Sequence, residues 1–253
     1  MRVRIGPVWM DSLTEAEAVA AVERLCGAGR GGLVFTPNVD HVVKADADPR
    51  LREAYSAADL SLPDGQWVIW ASRLLGTPLA GKVSGSDFVL PLARMAAARG
   101  LSMYLLGGAP GVADEAARRL REATSVRICG AEAPRIDLSA PDESIVERVA
   151  RAKPDLVLVA LGAPKQEIWS HRNLERLRPA VMLGVGASLD FVAGRVRRAP
   201  PWMSRWGMEW MFRLALEPRR LARRYLVDDP RFLRIVARTR RLPRALRVQG
   251  DPL

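Results

Sequence analysis

Two rhythms of apolar and polar positions alternate along the first 190 residues. Short apolar runs at Val3–Trp9, Gly32–Thr36, Asp59–Leu62, Ser102–Leu106, Val126–Cys129, Asp155–Leu161 and Val181–Val185 have the length and composition of strands. Longer amphipathic stretches separate most of them. Thr14–Gly27 follows the capping residues Asp11 and Ser12, Asp87–Arg99 closes at Gly100, and Gly111–Glu122 follows a glycine turn. Asp142–Lys153 follows Pro141, and Pro164–Leu177 opens with proline, a favoured first helical position. Strands alternating with helices predict an α/β fold with a doubly wound, mainly parallel, Rossmann-like sheet.

The pattern changes after Gly194. Pro200-Pro201 reads as a boundary, and Trp202, Trp206 and Trp210 recur at i, i+4 and i+8, the spacing of one helical face. Further helical stretches are predicted from Pro218 and after Pro230. The division expected is an α/β domain over 1–194 and a helical C-terminal appendage over 195–253.

Ligands of such sheets bind beyond the carboxyl ends of the strands. That rule gathers Thr36–Asp40, Pro63–Gly65, Gly107–Gly111, Gly162–Gln166 and Gly184–Asp190 on one rim. Thr36 and Asn38 offer neutral donors and acceptors suited to sugar hydroxyls or an acetamido group, although Asn38 also suits a helix cap. Asp64, on a tight turn, can serve as a general base if a hydroxyl comes within reach, or can cap the following helix. Lys82 stands before Val83-Ser84-Gly85-Ser86-Asp87, a segment that opens a helix where anions are favoured. Gly107, Gly108 and Gly111 form a strand–turn–helix junction where a phosphate could approach the backbone, and a packing turn explains them equally well. Gly162 with Gln166, and Gly186 with Asp190, repeat that layout; Asp190 could bind a ribose or base edge, or cap a helix.

Charge sharpens the view of the tail. The chain of 253 residues carries a formal +11, and the last 59 residues hold 16 of the 39 basic residues, all Arg, against five of the 28 acids. The entire excess therefore lies after residue 194, pointing to a polyanionic partner: nucleic acid, anionic lipid or a diphosphate. A solvated Arg-rich face is the plain alternative. Tryptophans interleaved with arginines suit a membrane interface. No run reaches the roughly 18 to 20 apolar residues that span a bilayer, and no signal-peptide core is evident, so a cytoplasmic location is expected. Only Cys26 and Cys129 are present, without metal spacing, which speaks against a disulfide framework or a zinc site. Asp46-Ala47-Asp48 has the form of a metal-binding DxD, but Asp48-Pro49 reads better as a cap and first helical residue. His41 and His171 form no ligand spacing, and surface or core roles suit both.

The ordered set TPNVDHV, LPDG, KVSGSDF, LLGGAPGVA, LVALGAPKQE, GVGASLDFVAG and RAPPWMSRWGMEWMFRLALEPRRLARRYL resembles the WecG/TagA/CpsF glycosyltransferases of bacterial cell-surface polymer synthesis. The resemblance covers nearly the whole chain. It implies an inverting, metal-independent transfer of N-acetylmannosamine, its uronic acid or another hexose from a UDP-sugar to a polyprenyl-diphosphate-linked saccharide. It implies no cofactor, with 1–194 binding the nucleotide sugar. By resemblance Asp64 is the catalytic base, Thr36 and Asn38 line the donor site, and Gln166 joins them. Lys82 stands where the family commonly has Arg, exchanging a bidentate fork for a point charge. Gly107, Gly108, Gly111, Gly162, Gly186 and Asp190 complete the expected donor site. Arg213, Arg220 and Arg224, with Trp206, are matched to acceptor and membrane contact, Arg219 and Arg223 being near competitors. The expected setting is the cytoplasm, peripheral on the inner face of the plasma membrane at an anionic surface, with a homo-oligomer compatible and no nucleic acid bound. A hexosyltransferase of exopolysaccharide assembly, a nucleic-acid-binding protein using the basic tail, and a non-catalytic UDP-sugar sensor are the alternatives.

Overall fold

In the computed structural model the described residues are 1–140, 142–196, 199–200, 202–203 and 206–250, apart from the side chain of Arg220. The chain opens with a hairpin, β1 (Arg2–Ile5) and β2 (Val8–Asp11). Sequence pattern predicts one strand over Val3–Trp9; a tight turn at Gly6-Pro7 folds that run back on itself. Then come α1 (Glu15–Gly27), β3 (Gly32–Phe35), α2 (Val39–Ala47), α3 (Pro49–Ser56), β4 (Leu60–Ser61), α4 (Gln66–Leu74) and α5 (Gly85–Ala98). The alternation continues through β5 (Ser102–Gly107), α6 (Val112–Thr124), β6 (Arg127–Glu132), α7 (Glu143–Ala152), β7 (Leu156–Ala160), α8 (Lys165–Leu177), β8 (Val181–Gly184) and α9 (Ser188–Val192).

Strands β3 to β8 form one sheet in the order β4-β3-β8-β7-β5-β6, every pairing parallel. The fold is thus the α/β arrangement that the pattern predicts. Strands β3, β5, β7 and β8 are buried along their whole lengths, and this is why they read as unbroken apolar runs. Their side chains alternate between two cores. Leu33, Phe35, Tyr104, Leu106, Val157 and Val159 join one core with residues of α2, α3, α4, α7 and α8. Val34, Met103, Leu105, Leu156 and Leu158 join the other with residues of α1, α5, α6 and α9. From β3 the chain runs out to the edge strand β4, whereas β8 is reached from β7 on the other side. Neighbours whose connections diverge in this way leave a crevice at their carboxyl ends.

Beyond Gly194 the described helices include α10 (Glu209–Leu216), α11 (Pro218–Arg223), which continues into a π-helical turn at Arg224–Asp228, and α12 (Arg231–Arg240). The tryptophan spacing predicts a single helical face through Trp202, Trp206 and Trp210. Gly207, with φ +64°, interrupts it. A Cβ there would come within 3.0 Å of Trp70, and the Gly207 carbonyl accepts from Trp67 Nε1 at 3.1 Å. Close docking on α4 therefore sets the break. The end of the chain returns to its beginning. Phe232, Ile235 and Val236 of α12 enter the core that holds Val3 and Ile5, Gly6 N donates to Thr239 Oγ1 at 2.9 Å, and β9 (Val248–Gln249) pairs antiparallel with β1. The segment carrying Trp206, Arg213 and Arg224 is thus tied to the α/β core at both ends.

Candidate active site

The carboxyl ends of β3, β4, β7 and β8 converge with α10, α11 and the π turn around two cavities. The first, about 470 Å³, is polar. It is lined by Thr36, Asn38, Asp40, His41, Lys44 and Asp64, by Ser84–Ser86 at the start of α5, by Gly162, Ala163 and Gln166, by 185–188 after β8, and by Phe191, Arg213, Leu221, Arg223, Arg224 and Asp228. The second, about 300 Å³, is mostly apolar. Val39, Trp67, Trp210, Tyr225, Pro230, Phe232 and Leu233 line it together with Asn38, Asp64, Lys82, Glu209, Arg213, Arg224 and Asp229. Four side chains face both: Asn38, Asp64, Arg213 and Arg224.

Local sequence places each of them. Asn38 ends the β3 loop in extended backbone and caps α2, its Oδ1 accepting from the His41 amide at 3.4 Å. The cap and rim readings are therefore both met by one side chain. Asp64 does not cap. Gly65 is the residue before α4, with no side-chain bond, and Asp64 is held by its own amide donating to Pro37 O at 2.9 Å. That backbone bond fixes the Asp64 turn against the Asn38 loop. Burial, then the like charge of Glu209, pushes the Asp64 carboxyl up to about 6, opposed by Arg213, Lys82 and His41. A carboxylate poised there is a stronger base near neutrality than an ordinary aspartate.

The helical wall supplies cations held by acids. Arg213 pairs with Glu209 at 3.0 Å and stacks on the Phe191 ring at 5.2 Å. Arg224 Nη2 donates to Asn38 Oδ1 at 3.4 Å, and its Nε lies 3.6 Å from Asp40 and 3.7 Å from Asp229. Asp40 also takes Lys44 at 2.8 Å, and Lys44 donates to Ala163 O at 3.0 Å. Asp229 is pushed up to about 6, first by burial and further by Asp40, with Arg224 and Lys44 opposing.

Other sequence-predicted residues fall as follows. Thr36 is buried and donates to Gly184 O at 3.1 Å. Gln166 is buried on the polar cavity, with Oε1 accepting from Gly186 N at 2.9 Å. Gly162 and Gly186 line the polar cavity and Lys82 the apolar one. Gly107, Gly108, Gly111 and Asp190 line neither. A Cβ at Gly107, where φ is +112°, would sit 2.6 Å from the Ala160 carbonyl, so close packing of β5 on β7 accounts for that glycine. Trp206 is 69% exposed and outside both cavities. The Arg220 side chain lies outside the described residues. Asp46 pairs with Arg238, and Asp48 caps α3, accepting from Arg50 N at 2.9 Å. The sequence reading placed Asp40 on the rim without a role, left His41 to a surface or core role, and singled out neither Glu167, Glu209 nor Asp229, whereas Asp40 and His41 line the polar cavity. Asp40, His41 and Glu167 lie inside the TPNVDHV and PKQE segments, within three residues of Asn38 or next to Gln166, and that proximity was the available signal.

Residues 3–246 match the glycosyl transferase WecG/TagA/CpsF family. The chain belongs to that family. It is 32% identical over 214 residues, 84% of this chain and 81% of the relative, to an N-acetylglucosaminyldiphosphoundecaprenol N-acetyl-beta-D-mannosaminyltransferase of Bacillus spizizenii. It is 33% identical over 195 residues (76% and 75%) to the Bacillus subtilis enzyme of that name, and 30% over 208 (82% and 80%) to that of Staphylococcus aureus. The protein is therefore a glycosyltransferase. Among the described residues, no helix of the transferase is long and apolar enough to cross a membrane.

Proposed function

We propose that the transferase moves a hexosamine of the N-acetylmannosamine type from a UDP-sugar to a polyprenyl-diphosphate-linked saccharide, with inversion and without a metal. The observation that carries this reading is the position of Asp64 on the wall shared by a polar and an apolar cavity. A nucleotide sugar suits the first, with Thr36, Asn38 and Gln166 around the sugar and Gly162, Gly186 and the start of α5 towards the diphosphate. Asp190, adjacent to Phe191 of that wall, remains our candidate for the uridine. The acceptor sugar suits the second, where Trp67, Trp210 and Tyr225 offer ring faces. Asp64 then removes a proton from the acceptor hydroxyl as it attacks the anomeric carbon from the face opposite the leaving UDP. Lys82 and Arg213 hold Asp64 ionised against burial and Glu209.

Charge on the departing diphosphate is met by fixed cations and amides, an electrostatic contribution that needs no reorganisation. Arg213 and Arg224 also face the apolar cavity, so the acceptor's own diphosphate finds them there. The Asp46/Asp48 pair, engaged by Arg238 and Arg50 outside both cavities, takes no part. Exposed Trp202, Trp206, Leu226, Val227 and Leu233 beside the arginines support a peripheral seat on an anionic membrane, where the lipid acceptor resides. Asp64→Asn is the test. With UDP-N-acetylmannosamine and a short-chain lipid-diphosphate acceptor, transfer should fall by about 10²–10⁴-fold while UDP affinity holds. Undiminished transfer would remove Asp64 from the role.

A further inference from the structure

The lining of the apolar cavity divides by element into two chemically different parts. One part comes from the β4–α4 turn and the start of α10. It carries Asp64, Trp67, Glu209 and Arg213, and it is tied together by Trp67 Nε1 donating to Gly207 O at 3.1 Å and by the Arg213–Glu209 pair at 3.0 Å. The other part comes from the start of α2 and the start of α12, two helices that pack together. It consists of Val39, Pro230, Phe232 and Leu233. Arg224 stands at the seam. Its Nη2 donates to Asn38 Oδ1 at 3.4 Å, one residue before Val39, and its Nε lies 3.7 Å from Asp229, one residue before Pro230. Its guanidinium also lies over the Tyr225 ring at 5.2 Å, and that ring meets Trp210 of α10 at 5.8 Å.

The two parts suit different pieces of a ligand. A sugar needs hydrogen-bond partners for its hydroxyls, and the α4–α10 part supplies carboxylates, a guanidinium and an aromatic ring. The side chains of Val39, Pro230, Phe232 and Leu233 have no hydrogen-bonding group, so that end offers hydrocarbon contact alone. Phe232 is buried, whereas Leu233 is 64% exposed although it lines the cavity, which puts Leu233 at the mouth. Leu226 and Val227, on the π turn that precedes α12, are exposed as well. Base, ring, cation and hydrocarbon therefore follow one another in the order in which a lipid-diphosphate saccharide presents hydroxyl, sugar, diphosphate and isoprenyl chain.

We propose that the α2–α12 end of the apolar cavity binds the first isoprenyl unit of the acceptor, with Leu233 as its outer wall. The proposal rests on reading Arg213 and Arg224 as the partners of the acceptor's diphosphate. The charge of those two side chains fixes the diphosphate beside the hydrocarbon end, and the carbon chain attached to it leaves past Leu233 towards the exposed apolar face. Leu233 is then a specificity residue for the lipid portion of the acceptor. A leucine that only touched a bilayer would behave like Leu226, which lies outside both cavities.

The test compares two sugar-free probes, methyl diphosphate and geranyl diphosphate, by calorimetry in vesicle-free buffer. Geranyl diphosphate should bind the wild type about tenfold more tightly, because its hydrocarbon leaves water. Leu233→Ser, at an exposed position that the fold does not need, should cut that ratio to about threefold or less. Any change in the diphosphate contact cancels in the ratio. Leu226→Ser should leave the ratio at its wild-type value. A wild-type ratio near one overturns the proposal. So does a ratio that survives Leu233→Ser, or one that falls equally in Leu226→Ser, which would give the hydrocarbon contact to the open surface. Loss of vesicle binding in Leu233→Ser with an unchanged ratio would give Leu233 to the bilayer instead. The same two tails on a sugar-linked diphosphate should reproduce the ratio in acceptor KM, and equal KM values overturn the site. Failure to transfer to either acceptor, with the calorimetric ratio and its loss in Leu233→Ser intact, would refute the acceptor reading and uphold the isoprenyl site.

Discussion

The two walls of the site are built differently. The strand-end wall is buried and cross-linked: Thr36, Gln166 and Glu167 are all buried, and each has a partner at 3.1 Å or closer. In the helical wall Arg213 pairs with Glu209 at 3.0 Å, but the contacts of Arg224 are looser. Arg224 meets its acids and Asn38 at 3.4 to 3.7 Å, longer than the roughly 2.7–2.9 Å of a strong charge-assisted bond. Around it Met211, Leu216, Leu226 and Val227 are exposed. A rigid wall presents fixed groups to a reacting sugar, and catalysis by preorganised dipoles requires that rigidity. Long ion contacts on the other wall can be exchanged for a diphosphate at little cost. Under the proposed function, the preformed wall suits the donor and the adjustable one the acceptor.

The strongest way to break this assignment is Arg224→Ala. If Arg224 serves the acceptor, kcat/KM for the lipid-diphosphate substrate should fall about 30- to 100-fold, the cost of removing one partner of a charged contact. UDP affinity, measured by calorimetry, should stay within about threefold. A parallel loss of UDP affinity would mean that the helical wall belongs to the donor site as well.

Proton occupancy separates the walls more gently. Burial raises Asp64 to about 6, so if Asp64 is the base it is protonated below that pH and transfer should drop about tenfold per unit on the acid side. The same shift has a stability consequence of opposite sense. A carboxyl with a higher pKa folded than unfolded stabilises the fold while protonated, fully below its ordinary value near 3.8, and that contribution is lost as pH rises through about 6. Asp64→Asn, which stays neutral, should therefore match the wild type near pH 4 and be more stable at pH 8, by about 1–2 kcal/mol after allowing for its open face. Equal melting temperatures at pH 8 would contradict the raised value.

Much of this was legible in the sequence, for identifiable reasons. Strands β3, β5, β7 and β8 are buried on both faces, so their apolar runs stand out. Asp64, Asn38 and Gln166 line the cavities, and their placement was legible because each follows a strand end, the one place where sequence order predicts ligand proximity. The hairpin was missed because Gly6-Pro7 lies inside an apolar run. Gly107 shows a different limit: a glycine required by a neighbouring carbonyl and one that admits a phosphate have the same sequence signature. His41 Nε2 and Glu167 Oε1 lie 3.3 Å apart, yet the two residues come from opposite halves of the chain, and only the packing of α8 beside β3 brings them together. Net charge located the basic tail, but which arginines turn inward depends on the break at Gly207 and on the acids Asp40 and Asp229.

The smallest expected effect tests the outer face of the helical wall. Leu226 is 62% exposed on the π turn, and Val227 follows it at 56%. Neither supports the core, so Leu226→Ser and Val227→Ser should each change stability by less than about 0.5 kcal/mol. If that face sits in the headgroup layer, each substitution removes part of the buried apolar area and should weaken binding to anionic vesicles by a few fold, about 1 kcal/mol. Raising salt should weaken binding further through the neighbouring arginines. Transfer to a water-soluble short-chain acceptor should be unaffected, because neither residue lines a cavity. Unchanged vesicle binding in the Leu226→Ser, Val227→Ser double variant would place the membrane contact elsewhere, and would leave the looseness of this wall as a property of the acceptor site alone.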